Sequence, residues 1–278
     1  MKTLTLGYSP CPNDTFIFYA LVHGRLDTGG LAFREVLDDV ETLNLMARRS
    51  ELDITKASFA AFAELREDYA LLRSGGALGR GCGPLIVARE MTDTAGLKGR
   101  RIAIPGRNTT AFLLMRLLEP SLGDNVAVMP FDRIMSAVRD GEADAGLIIH
   151  ESRFTYPGYG LVEVEDLGRW WEGETGRPIP LGCIIARRAL GAETAGRADS
   201  LIRRSLEYSL GNPGEPVEYI RRHSQEMDED VIKKHISLYV NDYSIDIGQD
   251  GAAAVEALFG MAHERGLLRP GSMPLFFQ

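Results

Sequence analysis

From Thr3 to Ser9 apolar and polar residues alternate as in a strand, and Asp14 to His23 then places apolar residues at helical spacing behind a polar, proline-containing turn. The theme recurs. LAFREVL precedes VETLNLMARR, DITKAS precedes FAAFAELRED, and YALLRSG follows. Strands alternating with helices in this way predict βαβ units and a largely parallel sheet. Beyond the glycine-rich GGALGRGCGP, the strand PLIVARE opens a second series: RRIAIPG into TTAFLLMRLL, VAVMPFD into RIMSAVRDGEA, and AGLIIH into a polar, aromatic loop. This predicts a second α/β lobe. GRWWEGETGRPIP then leads to the strand LGCIIARR, and the rest reads as helix: Glu193 to Leu210, Glu215 to Ser224, Asp228 to Tyr243 and Asp246 to Arg265.

Amphipathic helices without a sheet of their own need an apolar surface to cover, so this tail is expected to pack on an existing lobe. The expected topology is a discontinuous lobe one, residues 1–88 and 186–278, interrupted by lobe two, residues 89–185. PLIVARE and LGCIIARR would be the two crossings and form a hinge. Ligands of such α/β folds bind between lobes, at the carboxyl ends of strands.

Composition narrows the function classes. A chain of 278 residues allows one or two domains, and 45% hydrophobic with 25% charged residues is ordinary for a folded globular protein. The net charge of -8, the pI near 5.3 and the scattered basic residues argue against nucleic acid as a partner. MKTLTLGYSPCP lacks the run of about 7 to 15 apolar residues of a secretory signal. No stretch approaches the roughly 18 consecutive apolar residues of a membrane span. A soluble, cytoplasmic protein is expected. Cys11, Cys82 and Cys183 are far apart, form no CxxC pair, and read as free thiols.

Three strand-to-helix junctions carry candidate chemistry. In SPCPNDTFIF, Pro10 and Pro12 fix the backbone and Asn13, Asp14 and Thr15 suit a helix N-cap, which either is only a rigid cap or points free amides into a cleft lined by Ser9, Asn13 and Asp14. In TKASFAA, Lys56 suits a carboxylate as a point charge and the Ser58 hydroxyl a second bond, although Ser58 equally suits a helix cap. In IPGRNTTAF, Gly106 permits a tight turn before Thr109 and Thr110, an anion site without the lysine and spacing of a P-loop. GGALGRGCG does not give GxGxxG and leads into a strand, which excludes the dinucleotide fingerprint. His150 ends an apolar strand at the cleft, beside Glu151, and is open to two readings: a general base near neutral pH, or a structural hydrogen-bonding histidine. His23, His223, His235 and His263 fall in helical patterns, where surface or boundary positions suffice. No metal spacing accompanies His150. Cys11, near a helix start, is a minor candidate nucleophile.

Taken together, SPCPNDTFIFYALVHG, DDVETLN, TKASFAA, RSGGALGRGCGPL, PGRNTTA and GLIIHESRFTY resemble the 1,4-dihydroxy-6-naphthoate synthases of the futalosine route to menaquinone. The likeness runs to LGCIIARR and, more weakly, through the tail. It implies a two-lobed fold like the type II periplasmic solute-binding proteins, used as a carbon–carbon lyase on cyclic dehypoxanthinyl futalosine without cofactor or metal. It also implies His150 as proton acceptor, with Lys56, Ala57, Ser58, Thr109 and Thr110 against the substrate. Ala57 and Asn108 stand where relatives are expected to vary, and a contact from Asn108 would change affinity without changing the reaction. The rival readings are a non-catalytic solute binder or sensor of the same fold, and the chorismate dehydratase of the same pathway.

Overall fold

The N-terminal alternation forms β1 (Lys2–Tyr8), and Pro12, whose φ is pre-set for a first helical turn, starts α1 (Pro12–Val22). Next come β2 (Leu31–Leu37), α2 (Val40–Arg48), β3 (Ile54–Ser58), α3 (Phe59–Leu65) and the short strands β4 (Tyr69–Leu71) and β5 (Ala77–Gly79). The second series gives β6 (Leu85–Ala88), β7 (Ile102–Ile104), α4 (Thr110–Leu118), β8 (Val126–Val128), α5 (Phe131–Arg139) and β9 (Ala145–Ile148). It closes with α6 (Ser152–Thr155), β10 (Val162–Asp166) and α7 (Leu167–Thr175), before the returning β11 (Ile179–Arg187). The tail consists of α8 (Ala192–Gly211), α9 (Val217–His223), α10 (Glu229–Tyr239), α11 (Asp242–Ile245) and α12 (Gly248–Glu264). The computed structural model describes residues 2–225, 228–271 and 273–278.

Two sheets result. The first has the order β2-β1-β3-β11-β4 with β5 also on β11, and the second β10-β6-β9-β7-β8. The pairs of β1 with β2 and β3, and of β7 with β8 and β9, are parallel as expected, whereas β11 and β6 run antiparallel to their neighbours. Strand membership also moves the expected boundaries. Leu85–Ala88, assigned to lobe one from the sequence, hydrogen-bonds in the second sheet, and Ile179–Ile185, assigned to lobe two, lies in the first. The outgoing crossing is therefore the glycine-bearing turn before Pro84, not PLIVARE itself.

That turn touches the returning chain. A Cβ on Gly83 would overlap the backbone of Gly168, so the two crossings meet backbone to backbone only because glycine stands there. Arg153 clamps the contact, donating to Gly83 O at 2.6 Å and to Asp166 Oδ2 at 2.7 Å. Asp166 also caps α7, accepting from Gly168 N and Arg169 N. This cap and the buried Trp171 hold a helix that the glycines of GRWWEGETG concealed in the sequence. β10 was likewise masked, since its acidic VEVED is the sequence of a charged edge strand.

One apolar cluster runs from Phe59 and Phe62 on α3 to Phe112 and Leu114 on α4 and on to strands of both sheets. The lobes are thus packed together behind the cleft. The tail divides between the two faces of the first sheet: Val255, Leu258 and Phe259 of α12 join this cluster, while on the other face α1 is buried between the sheet and α8, with Ser205 Oγ donating to Ile17 O at 2.7 Å. Leu275 is buried and its carbonyl accepts from Leu71 N at 2.7 Å, so the C-terminal LFFQ segment lies against the first sheet.

Candidate active site

The carboxyl ends of β1, β3, β7 and β9 all open toward one cavity, and α1, α3 and α4 begin there. It encloses about 630 Å³ of space, its open mouth included. Ser9, Asn13, Asp14, Lys56, Ser58, Thr109, Thr110 and His150 all line it. Two other residues named from the sequence do not. Ala57 points from the opposite face of β3 into the core, because successive strand residues alternate sides. Asn108 faces lobe one at a different point, its Nδ2 donating to Glu41 Oε1 at 2.7 Å and its backbone N to the same carboxylate at 3.2 Å. A Cβ on Gly106 would collide with that carboxyl, so this glycine lets α2 reach across the cleft.

On the lobe-one wall, Lys56 Nζ lies 2.7 Å from Asp14 Oδ1, with both side chains almost fully enclosed. Asp14 also accepts from Asn13 Nδ2 at 2.9 Å, Ser9 Oγ at 2.7 Å and Ser9 N at 3.2 Å. The capping reading of these residues does not hold. Cys11 is the N-cap of α1, without a side-chain bond, and Asn13 and Asp14 use their side chains within the cluster. Nor does Ser58 cap α3 through its hydroxyl, which instead accepts from Asn44 Nδ2 at 3.1 Å and keeps its own O–H for the cavity.

On the lobe-two wall, Thr109 caps α4, accepting from Phe112 N while donating to Gly106 O. Thr110 Oγ1 donates to Leu181 O at 2.6 Å and accepts from Ala60 N at 3.3 Å. Both hydroxyls are thus committed to backbone. What α4 presents is its first-turn amide groups, which lack intrahelical acceptors and favour an anion.

His150 follows β9 with φ +56°, in the left-handed region where non-glycine residues are uncommon and histidine is enriched. The ring packs edge-on to Phe131 at 5.0 Å and makes no hydrogen bond among the described residues. Burial pushes its pKa down to about 4; Lys56 adds to this, while Asp14 and Asp39 oppose it. The imidazole is neutral at pH 7 and its lone pair is available.

His235 is a site residue that its helical pattern did not reveal. It was placed at a surface or boundary, yet it is fully buried behind the cavity, its Nε2 2.9 Å from Asn13 Oδ1 and its ring 6.2 Å from that of His150. Tyr239, one turn on, lines the cavity. The signal was the inward stripe of α10, Ile232, His235 and Tyr239, at spacings of three and four. Cys11 loses its standing as a nucleophile, because burial, reinforced by Glu151, raises its thiol pKa. Among the described residues no group of three or more His, Cys, Asp or Glu is placed to hold a metal ion, and no helix is long and apolar enough to cross a membrane.

Comparison with known proteins agrees with this architecture. A Candida albicans gene product described as having the generic periplasmic binding protein fold superposes with a TM-score of 0.70 at 17% identity, covering 98% of this chain and 92% of its own. A crystal structure of an Archaeoglobus fulgidus protein superposes with a TM-score of 0.91 at 39% identity, covering 96% of this chain and 98% of its own. The two-lobed binding-protein fold is thereby established. A 1,4-dihydroxy-6-naphthoate synthase of Thermus thermophilus is 52% identical over 99% of this chain and 100% of its own. One of Streptomyces coelicolor is 48% identical over 96% and 95% respectively. A family model described as menaquinone biosynthesis matches residues 4–264. With relatives this similar over nearly its whole length, the chain belongs to the 1,4-dihydroxy-6-naphthoate synthase family of menaquinone biosynthesis.

Proposed function

We propose that this enzyme of menaquinone biosynthesis cleaves a carbon–carbon bond of cyclic dehypoxanthinyl futalosine, releasing the sugar-derived fragment and leaving 1,4-dihydroxy-6-naphthoate, with His150 as general base. The observation that carries the reading is a neutral imidazole in the cavity wall with no hydrogen bond among the described residues to occupy it. Removal of a hydroxyl or carbon-bound proton by His150 starts a retro-aldol-like break, and formation of the aromatic ring favours completion. The substrate carboxylate lies against the first-turn amides of α4 and the Ser58 hydroxyl, with Lys56 near. Closure of the lobes through Glu41 and Asn108 excludes water from the intermediate.

Single-turnover conversion of cyclic dehypoxanthinyl futalosine tests this in purified wild type and His150→Asn. Turnover by wild type, with a variant that still binds but loses about 10²-fold or more in rate, is the expected result. Tight binding without turnover by wild type would replace the lyase with a solute binder, and an active variant would remove His150 from the chemistry.

A further inference from the structure

The helical tail reaches into the site through His235. Its ring is enclosed by Asn13 at Nε2, by the His150 and Tyr239 rings at 6.2 and 4.7 Å, and by Glu151, whose Oε2 lies 3.6 Å from Nδ1. The hydrogen-bond chain sets its protonation pattern. Asp14, a carboxylate paired with Lys56, can only accept, so the Asn13 atom 2.9 Å from it is the amide nitrogen. The Asn13 oxygen is then left facing His235, and Nε2 must carry a hydrogen. An imidazole placed there only to fill space would be a poor choice, since a leucine fills a dry site without burying polar atoms.

We propose that His235 is a positioning residue: its Nε2–H holds Asn13, Asn13 holds Asp14, and Asp14 holds Lys56 in the cavity wall. A tail helix thereby sets the geometry of the substrate pocket. This inference rests on the cavity being the site of the reaction proposed above.

The test compares His235→Gln with His235→Leu, each shown by thermal unfolding to be folded, in steady-state assays on cyclic dehypoxanthinyl futalosine. The glutamine amide reaches the place of Nε2 and donates; leucine fills the space and donates nothing. His235→Leu is expected to lower kcat/KM by about tenfold or more, chiefly through KM, while His235→Gln retains most of it. Asn13→Ala added to His235→Leu should cost little more, since both break one chain. Leucine equal to or better than glutamine would overturn the proposal. A second measurement needs neither variant nor substrate: the spectrum of ¹⁵N-histidine-labelled wild type should show His235 protonated at Nε2, and a ring protonated at Nδ1 alone would overturn it. Absence of turnover by wild type counts against the proposed reaction, and the ring's tautomer then decides His235 by itself.

Discussion

The two walls of the cavity are built on opposite plans. In lobe one, Asp14 accepts from Ser9, Asn13 and Lys56, and Asn13 is held in turn by His235, so the polar groups are locked to each other. In lobe two the threonine hydroxyls are spent on backbone, and His150 stands on a left-handed residue with its ring nitrogens uncommitted among the described residues. A ligand needs a surface that does not shift and a group that is free to change protonation. Here the two requirements are divided between lobes, and the divide coincides with the cleft.

The difference between the walls is largest at Asp14. Asp14→Ala leaves the Lys56 charge buried without its partner, and urea unfolding should show a loss of about 3–5 kcal/mol. Replacing both members, Asp14→Leu with Lys56→Met, should recover much of it. A loss under about 1 kcal/mol for the single variant would mean that the lobe-one wall is not locked.

The next largest effect is on pH dependence. The folded pKa of His150, about 4, lies below its unfolded value of about 6.5, so the native state takes up the proton later than the unfolded chain as pH falls. Stability supplied by the neutral ring is lost between about pH 6.5 and 4. The acid limb of kcat/KM should have its midpoint near 4. A midpoint near 6.5 would show His150 as solvated as an ordinary surface histidine.

Gly106→Ala probes the bridge between the walls. The added methyl displaces the Glu41 carboxylate from Asn108, and substrate should bind about tenfold more weakly with the radius of gyration in scattering slightly increased. Unchanged affinity would separate closure from binding. The smallest effect is expected for His150→Gly: the left-handed conformation costs glycine nothing, so stability should stay within about 1 kcal/mol of wild type while turnover is lost. A large destabilisation would show His150 to be structural, like the residues opposite.

Much of this was legible in the residues. Alternation and helical spacing located β1, β3, β9 and the tail, and eight of the ten named site residues line one cavity because each stands at a strand-to-helix junction. Patterns that depend on distant partners were not legible. Glu41 reads as an ordinary acid in the first turn of α2, and nothing local announces that it meets Asn108 across the cleft. His235 sits in an apolar stripe, but its partner Asn13 is 222 positions away. The boundaries moved because PLIVARE and LGCIIARR both read as buried strands, and burial does not say in which sheet a strand pairs.

The return of β11 to the first sheet also has a consequence for how the molecule is made. All five strands of the second sheet have been synthesised once Asp166 is added, whereas the first sheet waits for Ile179–Arg187, which pairs with β3, β4 and β5. As the chain leaves the ribosome, the inserted lobe can fold first as a unit, while β1 to β5 remain without their central partner and α1 without its cover. The N-terminal third is then the stretch most in need of protection by chaperones during synthesis, although in the finished protein it contributes the most tightly bonded wall of the site.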